Sequence, residues 1–220
     1  MNTILRGSAT TLVLLALSGC ALLGKADALT PRYFSPELPH IRDAGTAAST
    51  SSQSAPLELR LGRITAASHL GERIVFRDSQ YELNFYDSRR WSENPDAFLQ
   101  RSLAQSLFEE RGLRRIVSGT GLTLDVELTE LAELKRSPPL ARVAATYVLF
   151  DNRQVRRQAS LTVELPIANG KDPAEVLVRT LSDALAQLVA RIADQVIAAL
   201  PPAPLIPSAP DSQEGGRSGG

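Results

Sequence analysis

The sequence predicts an α+β fold, an antiparallel sheet of about six strands covered by two amphipathic helices in the order β-β-β-α-β-β-β-α. Three observations lead there. Several short stretches alternate apolar and polar residues, the period of a half-buried strand. Two longer stretches repeat leucine every three or four residues, the period of a helix with one apolar face. In the second half three alternating stretches follow one another with no helical pattern between them, as in a meander.

Each element has its own signal. Leu57, Leu59 and Leu61 alternate with Glu58, Arg60 and Gly62, giving the first strand. Residues Ile74 to Phe76 and Leu83 to Tyr86 give two more, and a short extended piece, Arg32-Tyr33-Phe34, lies ahead of them within pairing reach of the sheet. Asn94-Pro95-Asp96 then supplies an N-cap, a proline at the first helical position and a first-turn acid. Leu99, Leu103 and Leu107 follow at steps of four, so residues 95 to 111 read as a helix that Gly112 stops.

The second half has longer strands. Leu122, Leu124, Val126 and Leu128 alternate with Thr123, Asp125, Glu127 and Thr129. A connection through Lys135-Arg136-Ser137-Pro138-Pro139 leads to a strand from Arg142 to Phe150, with Val143, Ala145, Tyr147 and Leu149 on one face. The turn Asp151-Asn152-Arg153-Gln154 returns the chain into Ala159, Leu161, Val163 and Leu165. Last comes Asp172-Pro173-Ala174-Glu175, a capping-box spacing with Asp as the cap. Behind it Leu177, Leu181, Leu185, Leu188, Ile192 and Val196 form a narrow stripe. Its polar face lacks lysine, which favours packing on the sheet over lying on a membrane surface.

The ends of the chain read differently. Arg6 precedes an apolar run from Thr10 to Leu17, too short to span a bilayer, and the run closes on Leu17-Ser18-Gly19-Cys20. This tetrapeptide resembles the lipobox of bacterial lipoproteins, which implies acylation of the Cys20 thiol and cleavage before it. Residues 1–19 are then a signal peptide and 20–56 a lipid-anchored segment and linker, serine- and alanine-rich from Ala44 to Pro56. Residues 57–200 form the globular domain. Residues 201–220, with five prolines and four glycines, read as a disordered tail. Ala21, directly after the lipobox, is permissive for transfer to the outer membrane.

Composition excludes some functions. Removing residues 1–19 deletes Arg6 and no acid, leaving 23 basic against 24 acidic residues, so charge makes no case for nucleic acid as a partner. A single cysteine allows no intramolecular disulfide. His40 and His69 stand alone, without a second ligand at metal-binding spacing. Ser118-Gly119-Thr120-Gly121 leads into a strand and lacks a phosphate loop's third glycine, and no Gly-x-Ser-x-Gly elbow occurs. Asp125, Glu127, Glu130 and Glu133 read as a solvated sheet face. The chain therefore offers no catalytic residue, metal ligand or cofactor site.

One segment is richer than a scaffold requires. Tyr81 to Pro95 holds three tyrosine or phenylalanine rings near the only tryptophan, with Arg89 and Arg90 beside it, and Tyr, Trp and Arg are the side chains that dominate protein interfaces. Tyr86, Arg89, Arg90, Trp91 and Pro95 are the candidate partner interface; the alternative for Trp91 is packing at the strand-to-helix corner.

With the lipobox, Tyr33-Phe34, the strand from Leu57, and Tyr86 leading to Trp91 and Pro95 before a leucine-spaced helix, the chain resembles the ABC-type transport auxiliary lipoprotein family, to which paraquat-inducible protein C belongs. It departs from the family's pattern at His69 to Arg73, where a proline-containing, tyrosine-rich turn would be expected. The resemblance implies a non-enzymatic lipoprotein that anchors or docks an MCE-type lipid transport system on the periplasmic face of the outer membrane. Its implied partners are a periplasmic MCE-domain protein and, through it, an inner-membrane permease and an ATPase that binds the nucleotide; self-association stays open. The rival class is an outer-membrane assembly or structural lipoprotein that binds a β-barrel or the cell wall.

Overall fold

The computed structural model describes residues 30–36, 57–119, 121–152 and 154–200; Cys20, His40, the linker before residue 57 and the tail after residue 200 lie outside them. The elements are β1 (Arg32–Phe34), β2 (Glu58–Ala66), β3 (Arg73–Arg77), β4 (Asn84–Trp91), α1 (Pro95–Ala104), β5 (Arg114–Arg115), β6 (Leu122–Leu134), β7 (Leu140–Asp151), β8 (Gln154–Pro166) and α2 (Pro173–Ala199).

All eight strands join one sheet, and β6 organises it. On one side β6, β7 and β8 form the expected antiparallel meander, closed between β7 and β8 by a tight turn in which Asn152 takes a left-handed φ of 45°. On the other side β2 and β3 lie end to end, both parallel to β6: β2 beside Leu122–Leu128 and β3 beside Ala132–Leu134. Beyond β2 runs β5, parallel, and beyond β3 runs β4, antiparallel, with β1 parallel to β4 at the edge. The α+β class and the two helices stand as predicted. The sheet is mixed, because the chain passes through α1 between the first strands and β6 and re-enters the sheet in the same direction.

Two bulges keep the apolar face continuous. In β6 the register steps over Thr129, so Leu128 and Leu131, three residues apart, both turn to the core with Leu124 and Val126. In β2 the register shifts between Leu61 and Ile64, and the freed Arg63 N–H donates to Asp125 Oδ1 at 2.7 Å. Gly62 allows this, since a Cβ there would lie 2.0 Å from Asp125 Oδ1. Gly62→Ala is therefore expected to cost about 1–3 kcal/mol of stability by overpacking. Urea unfolding checks it, and an unchanged midpoint would contradict this account of the bulge.

The core lies between the sheet and the helices. Leu177, Leu181, Leu185, Leu188, Ile192 and Val196 of α2 are all buried, as are Val143, Ala145, Tyr147 and Leu149 of β7. Phe98, Leu99 and Leu103 of α1 are buried with Leu107, which follows in a wider π-helical turn, Gln105–Glu110, that finishes the helix before Gly112 at φ 68°. Tyr147 stays satisfied although its ring is enclosed, donating to Gln195 Oε1 at 2.6 Å and accepting from Arg157 Nε at 2.9 Å.

The start of α2 ties into the far edge of the sheet. Asp172 accepts from the Ala174 and Glu175 N–H groups at 2.9 and 3.3 Å, and from Arg32 Nη2 of β1 at 2.6 Å. Glu175 does not complete a capping box, because its carboxylate accepts from Arg179 one turn on. Asn94 likewise sits in the cap position of α1 without a side-chain cap bond. The Arg32 guanidinium, reinforced by the two backbone donors, holds the Asp172 carboxyl at about 2 against its ordinary 3.8. A carboxyl lowered by folding stabilises the fold fully above its unfolded value and loses that effect as pH falls towards its folded one. The stability difference between wild type and Asp172→Asn should thus be constant near neutrality and close as pH drops from 3.8 towards about 2. Thermal melting over that range tests this; a gap that does not change with pH would contradict it.

Candidate functional site

The segment singled out in the sequence is a wide bulge in β4. Val75 pairs with Phe85 and Arg73 with Arg90, so a two-residue advance on β3 is matched by five on β4, and Tyr86 to Arg89 are released from pairing with β3, while Arg89 keeps Arg32 of β1 as its partner. Tyr86 stacks on Phe76 of β3 with ring centroids 4.7 Å apart. Its hydroxyl donates to the Glu133 carboxylate of β6. The Arg89 guanidinium lies 4.0 Å from the Tyr86 centroid, while Lys135 Nζ lies 3.4 Å from that of Phe76 and 5.0 Å from that of Tyr86. Two rings are thus flanked by two cations, each held by attraction to a ring face. Burial, then the bond to Glu133, raises the Tyr86 phenol pKa well above its usual value, with Arg89 opposing. Tyr86 therefore remains a protonated donor, suited to holding geometry and not to accepting protons.

The five candidate residues divide. Tyr86, Arg89 and Arg90 are half-buried at the bulge. Trp91 is not a contact residue: it is 2% exposed, meets Phe98 edge-on at 5.9 Å, and donates its backbone N–H to Glu72 O at 2.6 Å. Of the two roles open to it, the ring takes the packing role. Pro95 is buried as the first residue of α1. Phe76 of β3, Glu133 of β6 and Lys135 just beyond it complete the cluster, and sequence reasoning missed them because only the sheet brings them to Tyr86.

The opposite face of the sheet carries an ion-pair lattice. Arg77 Nε meets Glu130 Oε1 at 2.7 Å, Arg142 bridges Glu130 and Glu164 at 3.7 and 2.6 Å, and Arg136 meets Glu164 at 3.0 Å. Part of it lines a cavity of about 480 Å³. Each of these carboxylates is bracketed by two arginines, an arrangement that ties β3, β6, β7 and β8 together. Among the described residues no group of three or more His, Cys, Asp or Glu side chains could hold a metal ion, and no helix is long and apolar enough to cross a membrane.

Ion pairs and cation–ring stacks thus tie together the strands of a helix-covered sheet. The chain belongs to the ABC-type transport auxiliary lipoprotein component family, whose profile matches residues 40–193. It is accordingly a lipid-anchored, membrane-associated auxiliary protein of a family not known for enzymes. The fold is shared with protein XCC0632 from Xanthomonas campestris (TM-score 0.62, 16% identity, covering 76% of this chain and 96% of that one). It is also shared with an uncharacterized protein of solved structure (TM-score 0.59, 17% identity, covering 76% and 99%). No curated protein sequence matches significantly.

Proposed function

We propose that this lipoprotein docks an MCE-type ABC lipid transport system at the periplasmic face of the outer membrane, with its acylated Cys20 as the anchor. The observation that carries the reading is membership of the auxiliary lipoprotein family over residues 40–193. The lipobox ending at Cys20 and the following Ala21 support the membrane and its side. The protein's work on this reading is positional: it contributes no chemical step, and nucleotide hydrolysis belongs to the ATPase. The partner is the periplasmic MCE-domain protein, and the contact is the β4 bulge with Tyr86 and Arg89.

A genetic experiment tests the role. Loss of this lipoprotein should produce the same envelope-permeability defect as loss of the system's permease, and the double deletion should be no worse than either. An additive double defect would place the lipoprotein in a different process.

A further inference from the structure

On the face of the sheet turned away from the Tyr86 cluster, the loop between β2 and β3 closes one side of an open cavity of about 550 Å³, whose lining includes His69, Glu72, Arg73, Phe85 and Arg90. The loop is pinned at three points: Ala67 N–H donates to Leu128 O at 2.8 Å, Leu70 N–H to Ala67 O at 2.8 Å, and Trp91 N–H to Glu72 O at 2.6 Å. Its Leu70 is buried. The lining is therefore preformed.

Its charges are unbalanced in a specific way. Arg73 and Arg90 are cross-strand register partners, an arrangement in which like charges repel. The ion pairs among the described residues use other arginines, and neither Arg73 nor Arg90 makes a side-chain hydrogen bond there. Arg73 is instead steadied by Phe85, its guanidinium carbon 4.2 Å from the ring centroid. In the same lining His69 has its Nε2 enclosed with no hydrogen-bond partner among the described residues. That nitrogen is closed off from the cavity, whereas the two arginines stand at facing register positions in one lining; a tetrahedral oxyanion can accept from both. Glu72 is the lone carboxylate of the lining, so with histidine counted as neutral the site is net +1. That balances the single charge of a phosphodiester better than the roughly −1.5 to −2 of a phosphomonoester near pH 7.

We propose that this cavity binds a phosphodiester group, gripped by Arg73 and Arg90. The site stands on its own residues and does not depend on the docking role. The test uses full-length acylated protein in an uncharged maltoside detergent, titrated calorimetrically with two probes. One is glycerophosphoglycerol, a soluble phosphodiester without acyl chains; the other is dihexanoyl phosphatidylglycerol below its micellar concentration. Saturable binding of both at similar affinity assigns the site to the phosphodiester headgroup alone, and binding of the acylated probe only assigns it to lipid. In either case Arg73→Gln and Arg90→Gln should each weaken binding by about tenfold or more, and Arg73→Lys by less, since it keeps the charge and loses the fork. Circular dichroism melting verifies that the variants fold, and Arg73→Lys serves if a glutamine variant does not. Failure of both probes to bind, or glutamine variants that bind as wild type does, would overturn the proposal.

Discussion

Trp91→Ala should lower the unfolding free energy of this protein by about 3–5 kcal/mol, the range for emptying a fully buried large aromatic site. The indole is 2% exposed and closes the corner between β4 and α1 against Phe98. The edge-on pair adds about 0.5–1.5 kcal/mol beyond area burial. Since a domain of this size has only about 5–15 kcal/mol in total, the variant should be close to its folding threshold. Guanidinium unfolding of the purified protein checks this. A loss under about 1 kcal/mol, with partner binding abolished, would restore Trp91 as a contact residue.

Cys20→Ser should release the protein from its membrane. Each buried methylene contributes roughly 0.8 kcal/mol, and one chain alone gives only marginal, reversible binding, so an anchor of several chains is lost as a whole when the acylated thiol goes. The described residues contain no helix able to cross a bilayer in its place. Fractionation of cells labelled with palmitate reads the result directly: label and membrane association should vanish together. A serine variant that still fractionates with the outer membrane would refute the anchor.

What the sequence revealed followed from periodicity. The six-residue stripe of α2 and the leucines of α1 are buried in full, and the β6–β7–β8 meander runs as the alternation predicts. Strand direction was not legible, because apolar alternation is the same for parallel and antiparallel neighbours, so β2 and β3 gave no sign that they run parallel to β6. Arg114–Arg115 is too short to show a period. The Leu128-to-Leu131 step looks like the end of a strand and is a bulge within one. At the candidate site, Arg89, Arg90 and Trp91 form a typical interface cluster along the chain, yet the ring packs into the core while the arginines stay half-buried. The partners of Tyr86 were hidden for a simpler reason: Glu133 lies 47 residues away, and only the sheet brings them together.

The docking role is tested most directly by crosslinking the lipidated protein in its native membranes and identifying what is captured with it. The account predicts recovery of a periplasmic MCE-domain protein, and loss of that capture in Arg89→Ala, whose fold should change by no more than about 1 kcal/mol because the substitution removes one cation–ring contact. Capture of barrel-assembly or cell-wall proteins alone, unaffected by Arg89→Ala, would contradict it.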